Sequence, residues 1–200
     1  MLTYANQLTI LRMIFVPCFV LLVVYGHPRA ATLLFLLAGV TDGLDGLIAR
    51  RFKQKTSLGQ FLDPMADKVL LTAAFITLTI PSVPLELHIP AWLTILTISR
   101  DLVIALSALI IHLQTGHSMF PPTLLGKCTT AAQLATVATC MMANFTRIPW
   151  VPLFMPVVYA TLVLTLASGF HYAYRAVKLI ESYQGTGTGN GQSRDQSAAR

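Results

Sequence analysis

A chain of 200 residues with 54% apolar side chains, a mean hydropathy of +0.65 and only 11% charged residues lacks the composition of a soluble domain, in which charged residues run at roughly 25%. The net charge is +6, and the basic residues gather at Arg50, Arg51, Lys53 and Lys55 and again at Arg175 and Lys178. That asymmetry follows the positive-inside rule of membrane proteins and argues against a nucleic-acid partner.

Taken in order, the first apolar run covers 8–25, with Arg12 near its entrance and Pro17 inside it, where it should loosen a helix. The stretch 1–7 has no basic region, so this run is expected to stay as a membrane helix rather than be cleaved as a signal. Gly26-His27-Pro28 is a turn signal. A second run spans about 30 to 50 and is apolar until it meets Asp42 and Asp45; a basic connection, 51–58, follows. The third run, about 59 to 80, opens on Asp63-Pro64, and proline is tolerated best in a first helical turn.

After a short outer loop at 81–87 comes a fourth run, about 89 to 113, carrying Arg100-Asp101 in its middle. A Pro-rich inner loop at 114–126 leads to a fifth run starting at Lys127 and ending near 145; the sixth ends near 174. A spanning segment must satisfy its own backbone polar groups, which favours helices. The expected fold is all-α: a polytopic membrane protein of six transmembrane helices at 1–181 with both ends cytoplasmic. The tail 182–200, rich in Gly, Ser and Gln, should be disordered.

Cys18, Cys128 and Cys140 show no metal-ligand spacing and read as small core residues. The five histidines show none either. Trp92, Trp150, Tyr172 and Tyr174 read as aromatic-belt anchors, and Arg12 as a snorkelling residue. Arg100 and Asp101, being adjacent, should face different directions and pair with different neighbouring helices. Lys127 at a helix start opposes the helix dipole, which favours a functional explanation.

The chain is organised around 41–68. Asp42 and Asp45 are three apart, and Asp63 and Asp67 four apart, so each pair shares one face of its helix. Only eight acidic residues exist in the whole chain, and these are four of them. Carboxylates in a bilayer cost roughly 2.5 to 3.5 kcal/mol each, so four unpaired ones would cost on the order of 10 kcal/mol, comparable to the whole stability of a typical domain. Lys68 and Arg50 offset only part of this. Two divalent cations would neutralise the quartet, and all-oxygen ligation favours magnesium, then manganese, with calcium also admissible and zinc disfavoured. Paired hard metals commonly clamp the attacking and leaving oxygens of a phosphoryl displacement. Gly43, Gly46, Ala49 and Gly59 strip bulk from the acidic faces, and Arg50 can hold a phosphate bidentately.

The pattern D-x-x-D-G-x-x-A-R, eight residues, G-x-x-x-D-x-x-x-D, formed here by Asp42, Asp45, Gly46, Ala49, Arg50, Gly59, Asp63 and Asp67, resembles the signature of the CDP-alcohol phosphatidyltransferases. Asn6, Leu8, Thr9 and Arg12 look like the N-x-L-T-x-x-R entry of the glycerol-type branch, and Gly126, Lys127, Thr130 and Gln133 like the start of its fifth helix. The resemblance implies a six-helix homodimer in a bacterial inner membrane, with a cytoplasm-facing site using two divalent cations. By motif position, Asp42, Asp45, Asp63 and Asp67 would ligate the metals, and Asp67 would also act as general base. Gly46, Ala49, Arg50 and Gly59 would shape the CDP-diacylglycerol site; Arg100, Lys127 and Arg175 would meet the acceptor.

Glycerol 3-phosphate is the first expected acceptor, giving phosphatidylglycerophosphate and CMP. Phosphatidylglycerol, the acceptor of CMP-forming cardiolipin synthases, is the alternative. Two departures look more like that group: no second arginine follows Arg100-Asp101, and Thr129 stands where a lysine is often found; glycerol 3-phosphate stays first as the commoner activity among short bacterial members. A cation-coupled transporter remains a reading of a different class, which predicts substrate flux without CMP release.

Overall fold

The computed structural model describes the backbone of residues 4–52, 57–115, 124–146, 152–172 and 174, and side chains within 11–41, 68–107, 124–146, 152–172 and 174. Asp42, Asp45, Asp63 and Asp67 therefore have described backbone but no described side chains, and the expected tail at 182–200 lies outside the described residues altogether.

The described residues form six helices and no strand: α1 Tyr4–Val24, α2 Pro28–Phe52, α3 Ser57–Thr79, α4 Ala91–Thr115, α5 Leu124–Thr146 and α6 Pro152–Tyr172. Helix α1 packs on α2 and α3, α5 packs on the same two, and α4 packs on α3. Helix α6 is tied to α4 and α5 by side-chain hydrogen bonds described below. Alone among the described residues, α6 is long and apolar enough to cross a membrane; the apolar stretches Leu11–Val24, Pro28–Thr41 and Lys68–Thr79 are shorter. In α2 and α3 the acidic and basic motif takes up the rest of the helix, which cuts the apolar length.

The turn between α1 and α2 has a local cause. Gly26 adopts φ 77°, donates its N–H to Val23 O at 3.1 Å, and is followed by His27 N–H on Leu22 O at 2.8 Å. This is the paired 5→2 and 6→1 closure of a helix C-terminus, for which a left-handed glycine is the natural residue. Pro28 then opens α2, where its fixed φ suits a first helical position.

The start of α3 differs from expectation. The helix begins at Ser57, so Pro64 lies inside it rather than in its first turn. Serine is favoured at helix starts, and the missing proline N–H costs the helix one hydrogen bond.

The core is built from aromatic and aliphatic side chains of α1, α2 and α3. Phe19, Val23, Ala31, Ala74, Phe75 and Leu78 are all fully buried, and the Phe19 and Phe35 rings lie 5.8 Å apart. Elsewhere threonines join the helices. Thr136 Oγ1 meets Thr161 Oγ1 at 2.8 Å, Thr129 Oγ1 donates to Leu164 O at 3.1 Å, and Thr161 Oγ1 donates to Ala132 O at 3.0 Å, tying α5 to α6. Thr79 and Thr94 do the same for α3 and α4 at 2.6 Å. Small and hydroxylated residues at helix contacts permit close approach and are common where lipid supplies no hydrophobic drive between helices.

At the end opposite the aspartates, Asn144 fastens the loop between α3 and α4. Its Oδ1 accepts from Glu86 N–H at 2.8 Å and Leu87 N–H at 3.2 Å, and its Nδ2 donates to Leu87 O at 3.0 Å.

Candidate active site

Helix α2 runs unbroken through Asp42 and Asp45, and α3 through Asp63 and Asp67. The i,i+3 and i,i+4 spacings therefore do fall on helical backbone, which sets each pair on a common face. Gly46, Ala49, Arg50 and Gly59 lie on the same two helices, outside the residues with described side chains. Among the described residues no group of three metal-ligating side chains occurs. The donor set at the motif is four carboxylates without sulfur or imidazole, which fits a hard divalent cation.

Beside the motif lies an open pocket of about 230 Å³. Its lining adjoins the acidic pairs: Gly39 is three residues before Asp42, and Lys68 directly follows Asp67. Phe35, Ala38, Leu70, Leu71 and Leu134 make an apolar wall; Arg12, Lys68, Asp101, Thr130 and Gln133 supply the polar groups.

Three of those polar groups are positioned in ways that composition did not reveal. Arg12 is 3% exposed and faces the interior of the bundle; the snorkelling reading is corrected, because α1 is central and packs on both α2 and α3. Gln133 is 1% exposed, and its Nε2 has no hydrogen-bond partner among the described residues. Asp101 joins two cations: Lys68 Nζ lies 2.7 Å from Oδ2, and Arg100 NH1 donates to Oδ1 at 2.6 Å.

Arg100 is buried, and its guanidinium also donates from Nε to Ser168 Oγ of α6 at 2.9 Å and lies 5.6 Å from the centre of the Tyr172 ring. Arg100 and Asp101 thus pair with each other as well as with α6 and α3. A long guanidinium can fold back along its own helix to the next residue, a reach that Cβ directions alone do not convey. Tyr172 is half-buried and belongs to this cluster. Trp92 and Tyr159 stack with ring centres 6.4 Å apart on the exposed surface, and Tyr174 is exposed; Trp150 lies outside the described residues.

Of the expected acceptor contacts, Lys127 is exposed in the first turn of α5 and Arg175 lies outside the described residues. Thr129 is fully buried against α6. Cys140 is buried, with its thiol 3.3 Å from Leu87 O, but Cys18 and Cys128 are exposed, which corrects the core reading for those two. Each sits on an outward face of its helix.

A family model for CDP-alcohol phosphatidyltransferases matches residues 2–168. The chain belongs to this family. A Haemophilus influenzae protein named CDP-diacylglycerol--glycerol-3-phosphate 3-phosphatidyltransferase is 45% identical over 101 residues, 49% of this chain and 53% of that protein, so that alignment spans about half of each. A protein of the same name from Blochmanniella floridana is 33% identical over 188 residues, 88% of this chain and 92% of the relative. The cardiolipin synthase (CMP-forming) of Rattus norvegicus is 30% identical over 198 residues, 90% of this chain and 64% of that protein. Members of this phosphatidyltransferase family act on CDP-alcohols with a second alcohol as acceptor. The signal for Arg12 and Gln133 was present in their polarity: one cation and one amide, each set in an apolar helix, are functional candidates by that fact alone.

Proposed function

We propose that this chain transfers the phosphatidyl group of CDP-diacylglycerol to the hydroxyl of glycerol 3-phosphate, giving phosphatidylglycerophosphate and releasing CMP. The observation that carries this reading is the undeparted eight-position motif on α2 and α3, set beside a pocket that holds Arg12, Lys68 and Gln133. Asp42, Asp45, Asp63 and Asp67 would hold two magnesium ions, which when bound supply positive charge to the diphosphate and to the departing CMP. Gly46, Ala49 and Gly59 leave room for the nucleotide, and Arg50 pairs with its phosphates. Asp67 accepts the proton as the acceptor oxygen bonds to the phosphatidyl phosphorus and the bond from that phosphorus to the CMP oxygen breaks.

All six helices present exposed apolar residues, among them Ile14, Leu37, Ile76, Ile95, Leu134 and Val163. So much outward apolar surface needs a nonaqueous surround, which supports a polytopic membrane protein; we read it as a homodimer of the inner membrane, and the basic residues Arg50, Arg51, Lys53 and Lys55 beside the motif suit a cytoplasmic face.

Phosphatidylglycerol as acceptor is the second reading. Asp101 engages both Lys68 and Arg100, which lowers the positive charge offered to a phosphate and suits a singly charged phosphodiester. The deciding experiment gives purified protein CDP-diacylglycerol and magnesium with glycerol 3-phosphate, phosphatidylglycerol, inositol phosphate or serine in separate reactions. CMP release with glycerol 3-phosphate is expected. Release with phosphatidylglycerol alone selects the second reading, and release with neither overturns both.

A further inference from the structure

We infer that a single buried water molecule joins Thr97 of α4 to Thr165 of α6, one helical turn from the Arg100–Ser168 contact. The inference goes beyond the phosphatidyltransferase reading and does not depend on it. Thr97 is 5% exposed and Thr165 2%, and neither hydroxyl has a hydrogen-bond partner among the described residues. Every other buried threonine among those residues has one: Thr32 on Pro28 O, Thr77 on Ala73 O, Thr94 on Thr79, Thr129 on Leu125 O, and Thr136 and Thr161 on each other. A threonine inside a helix can satisfy itself on the carbonyl four residues back. Two that do not, at matching places, call for a common cause.

Their places match because α4 and α6 run in the same direction. Trp92 stacks on Tyr159, and further along both helices Arg100 Nε donates to Ser168 Oγ, across a sequence separation of 68. Thr97 and Thr165 share that separation, each three residues before its neighbour in the contact. Residues three apart lie on one helix face, so both hydroxyls fall at one level of the α4–α6 seam, about 4.5 Å from the Arg100–Ser168 level at 1.5 Å per residue. A hydroxyl donates and accepts; two of them, shut off from solvent and not bonded to each other, are met by a molecule that does both. Water bridges buried polar groups in this way, with two to four hydrogen bonds. The buried Arg100 guanidinium one turn away disfavours a cation, and that guanidinium is already balanced by Asp101, which leaves little to hold an anion. The bridge extends the Arg100–Ser168 contact into a polar seam, fixing α4 against α6 where lipid supplies no hydrophobic drive between helices.

The test is a double-mutant cycle on the full-length protein in detergent. Valine keeps the shape of threonine without its hydroxyl, so Thr97→Val, Thr165→Val and the double variant remove one end of the bridge, the other end, or both. Each single variant should lower the Tm by about 2 to 4 °C, as one lost hydrogen bond does in a chain of this size. The double variant should melt no lower than the worse single one, because the second hydroxyl contributes nothing once the water has lost its first partner.

An unchanged or raised Tm in the single variants would show hydroxyls that are unmatched rather than bridged, and would overturn the inference. Losses that simply add would overturn it too, since each threonine would then have a partner of its own. Wild type supplies a measurement that needs no variant: an experimental structure detailed enough to resolve water should show one at about 2.5 to 3.0 Å from both Oγ1 atoms. Oγ1 atoms bonded directly to each other, or to backbone carbonyls, would refute the bridge. None of these readouts uses turnover, so failure here leaves the proposed function standing, and absence of CMP release would overturn that function alone.

Discussion

Lys68 Nζ sits 2.7 Å from Asp101 Oδ2, joining α3 to α4 at the wall of the pocket. The same carboxylate receives Arg100, which reaches on to Ser168 of α6. One aspartate thus balances a half-exposed ammonium and a buried guanidinium, and the two halves of the contact are unequal. The Lys68 half is screened by its exposure. The Arg100 half is not, since removing the carboxylate would leave a buried cation facing the neutral Ser168 hydroxyl and the Tyr172 ring, with no counter-charge among these partners.

Asp101→Asn should therefore destabilise the fold by about 1 to 3 kcal/mol, whereas Lys68→Met should cost under about 1 kcal/mol. Thermal unfolding of the two variants in the same detergent checks the order. A larger loss for Lys68→Met would mean that the lysine, not the arginine, depends on this carboxylate.

The sequence made the helices and their order legible, because long apolar runs broken by Gly-His-Pro and by charge leave few alternatives. It made the acidic motif legible too, since four carboxylates in so apolar a chain stand out. The interior polar contacts were not legible. Periodicity says which face of a helix is apolar but not which neighbour it meets, so Arg12 looked like an interfacial residue until α1 proved central. The Arg100–Asp101 contact depends on a side chain folding along its own helix, and the threonine pairs between α5 and α6 depend on register. The early start of α3 is a local matter: the apolar pattern begins later than the helix does, because 57–67 is helical while still carrying polar residues.

Gly26→Ala tests the α1–α2 turn. A Cβ at φ 77° is strained, and it would also lie 3.1 Å from Pro84 Cγ. The expected loss is about 1 kcal/mol or somewhat more, read as a lower Tm. An unchanged Tm would show that the turn relaxes to another conformation.

Asn144→Ala should separate stability from substrate binding. It removes the acceptor for Glu86 and Leu87 N–H and the donor to Leu87 O, a loss of about 2 to 4 kcal/mol at roughly 1 kcal/mol per bond plus the unmatched backbone groups. Asn144 lies eleven residues along α5 from Gln133 at the pocket beside the motif, about 16 Å at 1.5 Å per residue. The acceptor KM should accordingly stay unchanged below the transition. A raised KM would show that the loop between α3 and α4 communicates with the pocket.

Asp63→Asn bears most directly on the proposed chemistry. Asparagine keeps the shape of the side chain but removes the charge that a hard cation requires. Under the two-ion reading, turnover should fall by at least about 100-fold and the residual activity should need more magnesium. The fold should persist, because a neutral amide in an apolar surround is easier to accommodate than a carboxylate whose counter-ion has gone. Membrane insertion and Tm without magnesium should therefore match or exceed those of wild type. Added magnesium should raise the Tm of wild type more than that of the variant, as mass action requires of an ion bound to the native state. Wild-type turnover in Asp63→Asn, or the same magnesium-dependent rise in Tm for both proteins, would remove Asp63 from the metal site.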